Sequence, residues 1–239
     1  EPLRTAEAWG AAMRATEAHV LEEYGDFAED YEEVLRGYGY VAHQLAPAMV
    51  EEELEASCAA IGGPWRVLDL GCGPGNTAAA YFAKPGKYAV VGVDLTPEMI
   101  NKASERPYER LICQNIEAEL PVDDCSFSVV QFIGVTEFLN CPRETFAHVR
   151  TKLCEGGFLL MTSPMKIAEE MEKKYKIRTW HRGELESHVE QSGFALLRST
   201  SFLGYRLEDV SVQYECSLWR KTKPLDESAT PAVAEGPKG

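Results

Sequence analysis

The sequence has no apolar run that approaches the length of a membrane span, which excludes a transmembrane helix. It has no CxxC pair either. Its seven cysteines (Cys58, Cys72, Cys113, Cys125, Cys141, Cys154 and Cys216) stand singly and are odd in number. That argues against a zinc or other metal site and against a secreted disulfide framework, and it fits free thiols in the cytoplasm or another reducing compartment. Capture of trivalent arsenic by these thiols would need several of them to converge in space. No Lys/Arg cluster reads as a basic stripe, in a chain whose formal net charge is −14 and whose pI is near 4.9. Such a surface repels phosphate backbones, so neither nucleic acid nor a membrane is expected as a partner. The opening residues, EPLRTAEAWG, lack an initiator Met and the basic-then-apolar pattern of a secretory signal, and a removed targeting segment would leave no trace in them.

What is present is a chain of 239 residues, 45% of them apolar, enough for one well-packed domain with appendages. Residues 1–60 are rich in Ala, Glu and Leu, broken by Gly and Pro, and read as a helical N-terminal lid. Tyr24, Phe27, Tyr31, Tyr38 and Tyr40 recur there at near-helical spacing, a stripe that reads as a packing face before a ligand cage. Residues 61–222 read as the core, and the tail at 223–239, with no apolar period, as disordered.

From Trp65 the grammar is strand alternating with helix. WRVLDL, YAVVGVDL, RLICQNI, FSVVQFIG and FLLMTS read as five strands. Helices fall between them, among them NTAAAYFAK, one opening with Thr96 as N-cap and Pro97 in its first position, and one from about Arg143 to Leu153. After a helix closed by Gly193, FALLRSTSFLGY and VSVQYECSLWRK are two strands with too short a connection for a crossover helix, so they should pair antiparallel at the sheet edge. The expected fold is α/β: a Rossmann-like, doubly wound, seven-stranded sheet, mostly parallel with an antiparallel last pair, plus the helical lid.

The stretch VLDLGCGPGN places Gly71, Gly73 and Gly75 directly after the first strand. Backbone amides and a helix start then meet at the carboxyl edge of the sheet, an arrangement that holds ligands. No Lys-Ser/Thr follows the glycines, so a Walker loop is excluded. The spacing is GxGxG rather than the GxGxxG of a dinucleotide site, where Asn76 would have to be glycine; this and the antiparallel sheet ending count against a nicotinamide oxidoreductase. Asp94 ends the second strand nineteen residues beyond Gly75, where a carboxylate can accept from both ribose hydroxyls. Asp69 adds an anion near the glycines, which repels pyrophosphate and welcomes a ligand carrying an ammonium and a sulfonium. A cationic nucleoside, S-adenosylmethionine, satisfies both.

VLDLGCGPGNTA, VVGVDLTPEMI, NIEAELPVDDCSFSVV and KLCEGGFLLMTS together resemble the successive motifs of the class I S-adenosylmethionine-dependent methyltransferases, in order, from about Arg66 to Thr162. The segment GDFAEDYEEVLRGYGYVAHQLAP resembles the helical lead-in of the methyltransferase-like proteins named for the Williams–Beuren region. The resemblance implies that Gly71, Cys72, Gly73 and Gly75 pass close to the methionine part of the cofactor and that Asp69 faces its amino group. It implies that Asp94 holds the ribose, with Leu95 and Met99 beside the adenine and Ile116 and Ile133 packed along it. Asn115 stands where many members carry an Asp that accepts from the adenine amine; its amide oxygen can do the same. Ser128 replaces the Asp of the fourth motif.

The end of the fourth strand, IGVTEFLN, is then expected beside the transferred methyl group. GVTEF does not match the [DN]PP[YF] of adenine and amide N-methyltransferases, which disfavours an amide or base nitrogen as acceptor. Glu137 is the one ionisable side chain there; it is a candidate general base or ammonium ligand, or a helix-start carboxylate. Tyr31, Tyr40 and His43 are candidates to close over the cofactor, with a solvated or core-satisfied imidazole the leading reading for His43. Trp180 and His181 lie where such folds insert acceptor-binding loops, and an ordinary loop anchor is as good a reading. Three functions follow: methyl transfer to a small-molecule acceptor, methyl transfer to a basic peptide segment, or a catalytically silent binding module on the same fold.

Overall fold

The structure, a computed structural model, describes residues 17–18, 20–22, 24–25, 28–57, 64–175, 178–206, 208 and 210–222. The tail expected to be disordered, Phe27, Cys58 and the lead-in before Glu17 lie outside the described residues. The strands are β1 (Trp65–Leu70), β2 (Tyr88–Asp94), β3 (Arg110–Cys113), β4 (Phe127–Phe132), β5 (Leu153–Pro164), β6 (Phe194–Arg206) and β7 (Ser211–Lys221). The helices are α1 (Tyr31–Tyr38), α2 (Ala42–Ser57), α3 (Ala79–Phe82), α4 (Pro97–Ala103), α5 (Pro142–Lys152), α6 (Glu169–Tyr175) and α7 (Glu184–Gln191), and the described residues between 17 and 25 are also helical.

All seven strands form one sheet in the order β3-β2-β1-β4-β5-β7-β6. β1, β2, β3, β4 and β5 pair in parallel, and β7 inserts antiparallel between β5 and β6. This is the expected Rossmann-like sheet, with its antiparallel last pair. The strand order reverses between β1 and β4, which opens a crevice at the carboxyl ends of the parallel strands. β1, β2 and β4 owe their interior places to burial: both faces are covered, and β1 and β2 read as near-continuous apolar runs.

Each sheet face has its own core. On one, Phe146 and Val149 of α5 and Leu185 and Val189 of α7 pack with Leu68, Val91, Val130 and Leu159. On the other, Ala42, Ala46, Val50 and Leu54, at a four-residue spacing that gives α2 a single apolar face, pack with Val67, Val90, Phe158 and Leu218. Burying Val50 and Leu54 completely contributes about 2 kcal/mol each. Of the segment expected as a lid, α2 is therefore a wall of the core, and only α1 and the helical residues before it lie over the crevice.

Local differences from expectation have local causes. The helix expected over NTAAAYFAK is helical only in α3, four residues long, because the glycine loop and a Lys84–Lys87 turn occupy its flanks. Thr96 stands at the N-cap of α4 and Pro97 in its first turn, but the Thr96 side chain makes no capping bond. Its backbone N–H donates instead to Asp94 Oδ1 at 2.9 Å. α5 ends at Lys152 and β5 begins at Leu153, so the strand passes through Gly156–Gly157 rather than starting after it. The cysteines do not converge into a ligand set: among the described residues no three His, Cys, Asp or Glu side chains form a metal-binding group. Among them, too, no helix is long and apolar enough to cross a membrane.

Candidate functional site

β1 delivers the chain into the glycine loop. Gly71, Gly73 and Gly75 have φ of 71°, 52° and 95°, a region closed to most L side chains. Gly71 also has no room for one: a Cβ there would lie 2.5 Å from Val135 Cγ2. Beneath the loop, Asp69 is fully buried and accepts three hydrogen bonds, from Thr77 Oγ1 at 2.7 Å, Gln131 Nε2 at 2.7 Å and Tyr108 OH at 2.9 Å. Tyr81 OH in turn donates to Gln131 Oε1 at 2.9 Å. Burial raises the Asp69 carboxyl pKa, and these three donors oppose the rise. Asp69 thus ties the loop's underside to β4 and to the chain before β3. It does not reach the cavity, because the loop backbone covers it. Cys72, also fully buried, and Gly75 lie with it outside the cavity wall.

Eight of the eleven residues expected around the cofactor do line one cavity: Gly71, Gly73, Asp94, Leu95, Met99, Asn115, Ile116 and Ile133. They follow the carboxyl ends of β1, β2, β3 and β4. Asp94 accepts from the Gly73 N–H through Oδ2 at 2.8 Å and from the Thr96 N–H through Oδ1. Burial raises its pKa, opposed by these amides. Each carboxylate oxygen accepts one such bond, so lone pairs remain for hydroxyls. Met99 and Ile133 are almost fully buried and offer flat apolar walls. Asn115 is less free than expected: its amide oxygen accepts from the Glu117 N–H at 2.8 Å, and its amide nitrogen donates to Glu17.

The cavity is roofed by Glu17, Val20 and Tyr24 from the helical residues before α1 and by Tyr31 from α1. Two members of the aromatic stripe, Tyr24 and Tyr31, therefore face a cavity rather than forming only a packing face, and Tyr24 meets Phe138 edge-on with 5.7 Å between ring centroids. Arg106 fastens this roof to the loop: it donates to Pro74 O at 3.1 Å, to Asn76 Oδ1 at 2.9 Å and to Glu32 of α1 at 2.6 Å.

After β4, Gly134, Val135 and Phe138 continue the cavity wall, and the turn Thr136–Phe138 carries Glu137. Glu137 Oε1 accepts from Tyr214 OH at 2.7 Å, while the buried Oε2 makes no hydrogen bond. Burial raises its pKa and the Tyr214 bond opposes the rise. Tyr31, Tyr40, Tyr205 and Tyr214 all lie within electrostatic reach of this carboxylate, and Tyr31 within reach of Asp94 as well. The Tyr40 ring stands against Gly134, where a side chain of any size would collide with its hydroxyl. Tyr205 reaches Tyr214, 5.8 Å between centroids, because β6 bulges between Leu203 and Tyr205 and re-aims the following side chains.

The remaining candidates do not converge here. Trp180 is buried beneath the Arg178 guanidinium, 3.8 Å from its ring centroid, and pairs with Met165; it anchors its loop in the core. His181 is exposed and donates its N–H to Glu184 at the start of α7. His43 stacks on Tyr40 at 6.0 Å in a separate hollow beside Gln44 and Arg106, and burial lowers its pKa. Sequence reasoning missed Glu17, Glu117, Val135, Phe138, Tyr205 and Tyr214. Glu117 accepts the N–H groups of Asn140 and Cys141 at 2.9 and 2.7 Å, satisfying the start of α5 from a distant loop. Only Val135 and Phe138 carried a signal, their adjacency to Glu137.

Residues 68–161 match the family described as the methyltransferase domain. Trans-aconitate 2-methyltransferase of Rhodopseudomonas palustris (strain HaA2) is 32% identical over 109 residues, 44% of this chain and 41% of that protein. The 18S rRNA (guanine-N(7))-methyltransferase of Mus musculus is 39% identical over 108 residues, 44% of this chain and 38% of that one. The chain thus spans about two fifths of the length of these curated relatives. A solved S-adenosylmethionine-dependent methyltransferase of Thermotoga maritima, described as a possible histamine N-methyltransferase, superposes with a TM-score of 0.61 at 18% identity. The superposition covers 86% of this chain and 100% of that one, a likeness of fold. The match to the methyltransferase domain thus covers residues 68–161, and the seven-stranded sheet around it has the fold of the solved S-adenosylmethionine-dependent methyltransferase.

Proposed function

We propose that the chain catalyses methyl transfer from S-adenosylmethionine to a small-molecule acceptor. One observation carries the reading: Gly71, Gly73 and Asp94 meet the apolar Met99, Ile116 and Ile133 around a single cavity at the switch point of the sheet. The chemistry of the cavity's lining supports this cofactor. Asp94 is the acceptor for the ribose hydroxyls, the side-chain-free loop admits a close approach of the backbone, and the apolar walls suit the adenine ring. When bound, the cofactor supplies a methyl group already activated on a sulfonium, so the chain's own residues align the acceptor and exclude water. Tyr24 and Tyr31 are the roof that does the latter, with α1 and the helical residues before it acting as the lid.

A small acceptor suits a cavity that Tyr24 and Tyr31 roof and that the cofactor must share. RNA, named for the mouse relative, suits this chain poorly, since its net charge is −14. The test is the thermal shift with S-adenosylmethionine, S-adenosylhomocysteine and NAD, on the wild type and on Asp94→Ala. At about 100 times its Kd a ligand adds about 2.7 kcal/mol of stability. The two sulfur ligands should raise Tm in the wild type, NAD should not, and Asp94→Ala should lose the effect. No shift with either sulfur ligand would sink the enzyme reading in favour of the silent module.

A further inference from the structure

Glu137 is a carboxylate with half of its hydrogen bonding missing. Oε2 is buried without a partner, and Oε1 has only the Tyr214 hydroxyl. A carboxylate taken out of water costs free energy unless a donor or a cation completes it. No ion pair among the described residues includes Glu137; what faces it is rings. Tyr214 meets Tyr40 edge-on at 6.1 Å and Tyr205 at 5.8 Å between centroids, and Gly204, lacking a side chain, lets the Tyr214 ring lie against β6. The Tyr40 hydroxyl, also buried, makes no hydrogen bond of regular geometry, with Thr162 its polar neighbour. Tyrosine faces attract cations, and a buried carboxylate repels anions.

Resting on the methyl-transfer reading above, we infer that the acceptor is a small organic amine, held as its ammonium by Glu137 among the rings of Tyr31, Tyr40, Tyr205 and Tyr214. The chain places this group next to the cofactor cavity. Gly134, Val135 and Phe138 of the same segment line that cavity, and so does Tyr31, which lies within electrostatic reach of both Asp94 and Glu137. An ammonium has no lone pair to offer. Oε2 takes one proton from the nitrogen, which leaves the amine neutral and nucleophilic and the carboxyl protonated. The burial that lifts the Glu137 pKa suits it to that exchange.

The experiment is a thermal-shift titration of the full chain saturated with S-adenosylhomocysteine. The probes are phenethylamine, N-methylphenethylamine and tetramethylammonium as cations, phenethyl alcohol as the neutral isostere and phenylacetate as the anion. The cations should raise Tm further, and the alcohol and phenylacetate should not. Glu137→Gln should weaken cation binding on the order of 100-fold while keeping the S-adenosylhomocysteine shift, which also reports that the variant is folded. Tyr205→Leu should weaken it about fivefold. The inference is overturned by equal binding of the alcohol or phenylacetate, by an undiminished cation shift in Glu137→Gln, or by no cation shift at all, each with the S-adenosylhomocysteine shift intact. Loss of that shift in the wild type would remove the methyl-transfer reading itself, and this inference with it.

Discussion

Asp69 and Glu137 are both carboxylates withdrawn from water near the carboxyl end of the sheet, and burial raises the pKa of both. Their surroundings differ in kind. Asp69 accepts from a threonine, a tyrosine and a glutamine, each within 2.9 Å, and is covered by the loop it supports. Glu137 has one tyrosine donor and one oxygen left over. The difference separates support from recognition. A buried carboxylate that the chain itself completes holds a scaffold in one shape, and one left incomplete beside a cavity is where a ligand does the completing.

That contrast makes the two carboxylates respond differently to substitution. Removing Asp69 breaks it most severely. Asp69→Ala removes the acceptor that Thr77, Gln131 and Tyr108 share, and should cost about 2–4 kcal/mol in urea unfolding and lower the affinity for S-adenosylhomocysteine through the distorted loop. A variant as stable as the wild type would show that the network under the loop is dispensable.

A smaller effect, of opposite sign at high pH, belongs to Glu137. Its folded pKa lies above the ordinary 4.5, so the folded chain holds a proton there that the unfolded chain has released. Stability from this group is complete below 4.5 and declines as pH rises through the raised folded value. Tyr31, Tyr40, Tyr205 and Tyr214, which face it, are all held above the usual tyrosine range and stay neutral throughout. Glu137→Gln removes the decline, so its Tm relative to wild type should climb as pH rises above 4.5 through the raised folded value. A constant difference across that range would mean that Glu137 is completed in the folded chain after all.

The smallest effect sharpens the loop side of the comparison. Arg106 ties Pro74 and Asn76 to Glu32 from the outside, with its side chain 34% and that of Glu32 50% exposed. Arg106→Ala should cost about 1 kcal/mol and lose part of even that difference in high salt, because a partly exposed pair is screened. A loss as large as that for Asp69→Ala would move the loop's support from beneath it to its rim.

The strand-end lining of the cavity was legible because it is local. The glycines, Asp94, Leu95, Met99 and Ile116 each lie within a few residues of a strand end, and strand ends show in the alternation of apolar runs with helices. The surroundings of Glu137 are not local. Glu137 meets Tyr214, 77 residues away along the chain, only because β7 inserts between β5 and β6 and β6 bulges near Tyr205. The same distance effect misled the reading of α2, whose helical character was plain while its place against β5 and β7 was not.

What the sequence determined alone was the sheet's parallel body, the loop that leaves β1 and the carboxylate that ends β2, since backbone sterics and hydrophobic period act over a few residues. Tertiary structure alone decided what each carboxylate became. Asp69 and Glu137 are both acidic residues beside a strand end, and only the side chains that folding brought to them, three donors for one and a ring of tyrosines for the other, made the first a support and left the second open. Burial and hydrogen-bond partners are properties of the packed chain, and no local pattern encodes them.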